Sequence, residues 1–194
     1  MKFENLPFPL GTTYAGDGTP ASTDAPHLEG KEYWVECANL ASSDVAKPML
    51  AGTYKKVRIM RNVTGSALVP KRIAKLKLTG TAQEMLSQVN GYATTVGEHG
   101  YPIDEFLPAA GVADQGLFYC VVEGLAKVTT AAAGDTNIAI GAYVIPSTDG
   151  KVIDQDVTVA AGSATFNQIQ GAIGYTLLAV NAINTDVYIN VTKR

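Results

Sequence analysis

Short runs of apolar residues, separated by turn-forming residues, fill the C-terminal half of the chain. β-Branched and aromatic side chains dominate these runs, which span residues 117–122, 138–145, 173–180 and 187–191. Runs of about four to eight such residues, bounded by Gly, Asp or Asn, are typical of β-strands. Asp149 and Gly150 lie between two apolar stretches and predict a hairpin. This half of the chain is therefore predicted to form a β core.

Alternation of polar and apolar residues predicts further strands in the N-terminal half. Residues 31–37, 55–61 and 68–78 each alternate with a period of two. One helix is predicted from Thr81, which can form a capping box with Glu84, to Gly91, which can end the helix. The longer connection 92–116 follows it.

The first 29 residues have a different character, being rich in Pro, Gly, Thr and Ser without a periodic apolar face. Such a segment cannot bury enough surface to fold alone. Its aromatic residues Phe3, Phe8 and Tyr14 suggest that it becomes ordered against a neighbouring subunit. We therefore predict an extended N-terminal arm (1–29) and a β-rich domain (30–194). The predicted fold is all-β, a sandwich or barrel of short antiparallel strands with one short helix.

Charge is segregated along the chain, although the net charge is only −3. Residues 45–83 contain no acidic residue and nine of the 15 basic ones, which leaves six basic and 18 acidic residues elsewhere. Two successive strands with basic residues on one side would form a basic patch. Three interpretations remain open: the charges are balanced by acidic neighbours within the fold, they bind an acidic protein, or they bind nucleic acid. The last is disfavoured, because Tyr54 is the only aromatic residue in this segment.

Catalytic chemistry is sparse in this sequence. The nearest approach to an active site is Glu98, His99, Asp104 and Glu105, but no metal-binding spacing accompanies them and His27 lies in the predicted arm. A small hydrolase built on Glu98, His99 and Asp104 is one hypothesis, and the absence of enzymatic activity is the preferred one. No cofactor or metal is predicted. No apolar run is long enough to predict a membrane span.

Several segments in order resemble the decoration proteins, also called auxiliary head or cement proteins, of tailed bacteriophages. They include Gly30-Lys31-Glu32-Tyr33, Asp104-Glu105-Phe106-Leu107-Pro108 and Gly111-Val112. The remaining segments are 61–70, 117–124, 131–135, 138–145, 173–179 and 186–191. The resemblance covers about residues 30–193 and contains no catalytic residue.

The resemblance implies a non-enzymatic virion protein, made in the host cytoplasm, that binds the outer surface of the major capsid protein shell, commonly as a homotrimer. The arm would reach a neighbouring subunit and the basic patch would steer docking onto an acidic shell. The alternative is a head-fibre component that binds a glycan or receptor. The candidate capsid-binding residues are Phe3, Phe8, Tyr14, Lys55, Lys56, Arg58, Arg61, Lys71, Arg72, Lys75 and Lys77.

Overall fold

A computed structural model describes residues 6–14, 28–36, 54–95, 97–131, 138–155, 172–180 and 182–192. These residues form a β-rich fold with 47% strand and one short α-helix, which confirms the predicted all-β class. The elements are β1 (Glu32–Glu36), β2 (Tyr54–Asn62), β3 (Ile73–Leu76), α1 (Ala82–Ser87), β4 (Gln88–Tyr92), β5 (Gly100–Pro102), β6 (Leu117–Thr129), β7 (Tyr143–Pro146), β8 (Val152–Asp154), β9 (Gly174–Thr176) and β10 (Asp186–Val191).

All ten strands of the described residues belong to one mixed sheet. Their order is β5-β3-β4-β2-β6-β10-β9-β7-β8, and β1 pairs with β2 beside this path. The pairs are antiparallel except β2 with β4, so the prediction of antiparallel strands fails at one position. The reason is topological: β4 inserts between β3 and β2, and because it is antiparallel to β3 it runs parallel to β2.

The sheet curls at both ends until its edges meet the long central strand β6. Ile103, directly after β5, forms an antiparallel bridge with Cys120, and the Asp104 amide donates to the Tyr119 carbonyl at 3.0 Å. At the other end Thr130 bridges to Val152 of β8. Strand β6 is therefore shared by two curled halves of the sheet.

Both faces of β2 and β6 are covered by hydrophobic clusters. Val57 and Ile59 of β2 belong to the larger cluster, together with Tyr119 of β6. Met60 and Phe118, which alternate with them, belong to the second cluster. A strand buried on both faces has a nearly continuous apolar sequence, which explains the unbroken run at the start of β6.

The predicted helix begins as expected and ends earlier. Thr81 accepts from the Glu84 amide and the Glu84 side chain accepts from the Thr81 amide, so the capping box is confirmed. The prediction that Gly91 ends the helix is wrong, because α1 ends at Ser87 and Gln88 already has extended backbone. Gln88 and Val89 pair with β2 instead, and this tertiary pairing overrides a short helix that has few contacts to hold it.

Other predicted segments also differ from the observed strands. Of the predicted strand 68–78 only β3 is formed, and of the run 173–180 only β9. The run 138–145 contributes only β7, because Gly141 lies in a turn with φ of +79°. The connection 92–116, predicted without strands, contains β5. The hairpin at Asp149 and Gly150 is confirmed, since these residues lie in the 3-10 turn that joins β7 to β8.

Residues 6–14, part of the predicted arm, pack against the domain of their own chain. The Phe8 ring is 7% exposed and stacks on Tyr119 with 4.4 Å between ring centroids. The Tyr119 hydroxyl donates to the Phe8 carbonyl at 2.8 Å, and Tyr14 forms an antiparallel bridge with Leu117. Phe8 is therefore a core residue, and its side chain is not available to a neighbouring subunit in this conformation.

This packing makes the contribution of Phe8 to stability measurable. We expect Phe8→Ala to lower the free energy of unfolding by about 3 kcal/mol, because the substitution leaves a cavity beside Tyr119. Tyr14→Ala, at a side chain that is 41% exposed, serves as the control and should cost less than about 1 kcal/mol. Urea unfolding measures both. Equal midpoints for Phe8→Ala and the unsubstituted protein would contradict the placement of Phe8 in the core.

Candidate binding surface

The basic segment is largely neutralised by ion pairs within the chain. Its acidic partners come from distant parts of the sequence, such as Glu29, Glu32 and Asp186. The pairs are Lys55–Glu105, Lys56–Glu32, Arg58–Glu32, Arg61–Glu29, Lys71–Asp186, Lys75–Glu98 and Lys77–Glu84. Of the three interpretations of this segment, the structure supports balance by acidic neighbours.

The two basic strands direct their side chains to opposite faces of the sheet. In β2, Lys56 and Arg58 alternate with Val57 and Ile59 and lie on the face of Met60, which belongs to the second cluster. In β3, Lys75 alternates with Ala74 and Leu76 of that cluster and lies on the other face. The predicted single basic patch is therefore not formed.

Several candidate capsid-binding residues lie inside the molecule. Lys55 has no exposed surface and Arg61 is 4% exposed. Arg72 is half-buried, and its Nη1 atom is buried without a hydrogen-bond partner among the described residues. Phe3 lies outside the described residues. Lys56, Arg58, Lys71, Lys75 and Lys77 keep partial exposure, but each is paired with a carboxylate.

Lys55, Asp104 and Glu105 form a buried cluster of ionisable side chains. Lys55 Nζ lies 3.0 Å from Glu105 Oε1. Asp104 accepts hydrogen bonds from the amides of Gly11, at 2.7 Å, and Phe106, at 3.3 Å. Burial raises the pKa of Asp104 and the Glu105 charge adds to this, whereas Lys55 and the two amides oppose it. Asp104 thus binds the N-terminal segment through Gly11, whereas Glu105 binds Lys55.

Glu98 and His99 lie at a different place in the fold. They line a small pocket of about 170 Å³ together with Leu76, Tyr101 and Ile173. Partial burial acts to raise the pKa of Glu98, but hydrogen bonds from Lys75 and from the amides of Thr94 and Thr95 outweigh it and lower the pKa to about 2. His99 is exposed. Across the described ranges, no group of three His, Cys, Asp or Glu side chains could hold a metal ion.

The outer face of the second curled half carries tyrosines that the sequence analysis did not single out. Tyr143 of β7 is paired with Tyr175 of β9, which is paired with Asn190 of β10. Directly paired residues lie on the same face of a sheet. Tyr188 of β10 pairs with Lys127 of β6. Because Tyr188 lies two positions from Asn190 along its strand, this pair lies on the same face. We call this surface the tyrosine face and define it as Leu125, Lys127, Tyr143, Tyr175, Tyr188 and Asn190.

One end of the tyrosine face is packed against neighbouring side chains, and the other end is exposed to solvent. At the packed end Leu125 and Tyr188 form a small cluster with Leu177 and Leu178, and Lys127 Nζ lies 4.8 Å from the Tyr188 ring centroid. At the exposed end Tyr143 is 43% exposed, and the Asn190 amide donates to the Tyr175 hydroxyl at 2.7 Å. The opposite face of these strands carries Val144 and Ile189 of the core. The sheet therefore fixes the backbone positions from which these side chains project, which lowers the entropic cost of binding.

The comparisons with known proteins add no family to this description. No protein-family model matches the chain, and no curated protein matches it. The described residues contain no helix that is long and apolar enough to cross a membrane.

The lowered pKa of Glu98 predicts a specific pH dependence of the free energy of unfolding. A carboxylate whose pKa falls from the ordinary 4.5 to about 2 on folding stabilises the fold above pH 4.5 and loses this effect as the pH falls toward 2. We expect Glu98→Gln to cost about 1–2 kcal/mol at pH 7, less than the full pKa shift corresponds to because solvent screens the pair with Lys75, and progressively less below pH 4.5. Urea unfolding at several pH values measures this, with Glu123→Gln as a carboxylate control. A cost for Glu98→Gln that is the same at pH 3 and pH 7 would refute the assignment.

Proposed function

We propose that this chain is a non-enzymatic virion structural protein that decorates and stabilises a tailed-phage capsid by binding the outer surface of the major capsid protein shell. The observation that supports docking is the tyrosine face, where Tyr143, Tyr175 and Asn190 are presented on a rigid sheet. The identity of the partner comes from the resemblance of residues 30–193 to decoration proteins.

The composition of the tyrosine face favours contact with another protein. Tyrosine is enriched in protein interfaces because it combines a large apolar ring with a hydroxyl that can still form hydrogen bonds. The adjacent leucines extend the apolar area beyond the rings, and one cation, Lys127, borders it. A surface of this kind is suited to a broad, shallow contact with a folded shell.

The pairing of the basic residues changes the expected electrostatics of docking. Because Lys56, Arg58 and Lys75 already contact carboxylates of their own chain, they contribute little long-range attraction to an acidic shell. Affinity would then depend on desolvated contacts at the tyrosine face rather than on steering. Binding to shells should accordingly weaken little as salt concentration rises.

The alternative function is a head-fibre component that binds a glycan or receptor. One observation favours it: Asn190 and Tyr175 are joined by a hydrogen bond beside the exposed ring of Tyr143. A flat ring next to an amide and a hydroxyl can bind a sugar by stacking and hydrogen bonding. We rank this function second because the leucines beside Tyr188 extend the apolar area further than a single sugar requires.

Cosedimentation with undecorated phage shells tests the proposal directly. The purified chain is titrated to saturation at low and high salt, and we expect saturable binding at a fixed ratio to the capsid subunit with weak salt dependence. The double variant Tyr143→Ala and Tyr175→Ala should weaken binding by about 2 kcal/mol, roughly 30-fold in Kd. Tyr54→Ala is the matched control, since Tyr54 is 39% exposed but belongs to β2.

The outcomes separate the two functions. Loss of binding in the double variant alone supports docking through the tyrosine face. Failure of the unsubstituted protein to bind shells at any ratio would refute the decoration proposal. A glycan array then tests the alternative, which is supported only if hits above background disappear in the double variant and persist in Tyr54→Ala.

A further inference from the structure

The buried cluster of Lys55, Asp104 and Glu105 lies inside the molecule and plays no part in the proposed docking. Lys55 lies in β2 and Glu105 lies 50 residues later, after β5. Their charged atoms are 3.0 Å apart, and their side chains are 0% and 3% exposed, respectively. The Phe106 ring covers the amine, with 4.9 Å from Lys55 Nζ to the ring centroid. A primary amine and a carboxyl group are thus held in contact and away from water.

An ion pair in this position is costly. Removing two charges from water requires that all their hydrogen-bonding atoms find partners, and the mutual attraction of the charges often fails to offset the loss of hydration. Glu105 Oε2 is buried and has no hydrogen-bond partner in the described part of the chain. Transfer of one proton from Lys55 Nζ to Glu105 would replace the two buried charges by a neutral amine and a neutral acid.

We propose that Lys55 and Glu105 condense to form an intramolecular isopeptide bond between Nζ and the Glu105 Cδ atom. The neutral amine attacks Cδ, the C–N bond forms, and one Cδ–O bond breaks. The Glu105 hydroxyl and one proton from nitrogen leave together as one molecule of water. No oxidant, reductant or cofactor is required, because the condensation involves no change in oxidation state.

Asp104 supplies the proton relay in this scheme. It adjoins Glu105 in sequence, is only 1% exposed, and accepts the Gly11 amide at 2.7 Å. Burial raises its pKa, so it takes up a proton more readily than an exposed aspartate. A neutral carboxyl can donate a proton to the oxygen that develops on Cδ and accept one from nitrogen. The amides of Gly11 and Phe106 fix its orientation.

The position of the bond gives it a structural consequence. It would join the central strand β2 to the turn after β5, closing a loop of about 50 residues in the unfolded chain. A cross-link of this kind stabilises mainly by restricting the unfolded state, as a disulfide does, and a bond that survives reduction is useful wherever thiols are kept reduced.

Intact mass spectrometry of the full purified chain tests the proposal without any substitution. We expect a mass lower than the sequence mass by one water molecule, allowing for removal of Met1. Tandem mass spectrometry of a digest should then identify a branched peptide that joins the segment containing Lys55 to the segment containing Glu105. Lys55→Arg should restore the sequence mass, whereas the control Lys56→Arg, at the neighbouring ion pair with Glu32, should retain the water loss.

Other outcomes are equally decisive. A mass equal to that of the sequence overturns the proposal, whether or not any variant folds. Water loss that persists in Lys55→Arg also overturns it, because dehydration at an Asp-Gly pair such as Asp149 and Gly150 gives the same mass change. For Asp104→Asn we expect slow conversion, seen as a mixture of both masses in freshly made protein. Complete conversion at the same rate would overturn the assigned role of Asp104.

Discussion

The fold depends on the burial of one long strand on both of its faces. The thirteen residues of β6 contribute Tyr119 and Val121 to one cluster and Phe118 and Cys120 to the other. Each large side chain so buried contributes about 1.5–3 kcal/mol before the entropy of ordering is subtracted. The backbone of β6 is satisfied as well, since β2 and β10 pair along it and the curled ends of the sheet meet it near Cys120 and Thr130. Both clusters therefore include side chains of this strand.

Because both faces of β2 are covered, the charged side chains of this strand must form ion pairs within the chain. Basic residues on a strand with no fully solvated face need partners close by, and Glu29, Glu32 and Glu105 provide them from distant positions. Most of these pairs add little stability individually. Their main effect is on the surface, which presents mixed charge instead of a basic patch. If the chain docks on a shell as proposed, recognition would rest on shape and on desolvated contacts such as those of the tyrosine face.

The features that could be predicted from sequence are those encoded by neighbouring residues. The period-two strands, the hairpin at Asp149 and Gly150 and the capping box of Thr81 and Glu84 depend only on local pattern. Strand β5 was not predicted because Gly100, Tyr101 and Pro102 have no strand pattern of their own. These residues become a strand by pairing with β3. The tyrosine face required the register of three strands, since Tyr143 and Tyr175 lie 32 positions apart. The neutralisation of Arg61 by Glu29 is likewise a long-range contact that no local pattern reveals.

The N-terminal segment and the buried cluster depend on each other. Gly11 packs against Phe106 so closely that a Cβ atom on it would lie 2.8 Å from the Phe106 carbonyl oxygen, and its amide is the partner of Asp104. Lifting residues 6–14 away would hydrate Asp104 and expose Phe8, so the cost of release combines a lost hydrogen bond with lost apolar burial. An arm that reached a neighbouring subunit through this stretch would have to offset both. The predicted contact of the arm with a neighbouring subunit is therefore unfavourable through residues 6–14, because Phe8 and Gly11 pack on Tyr119 and Phe106 of their own chain.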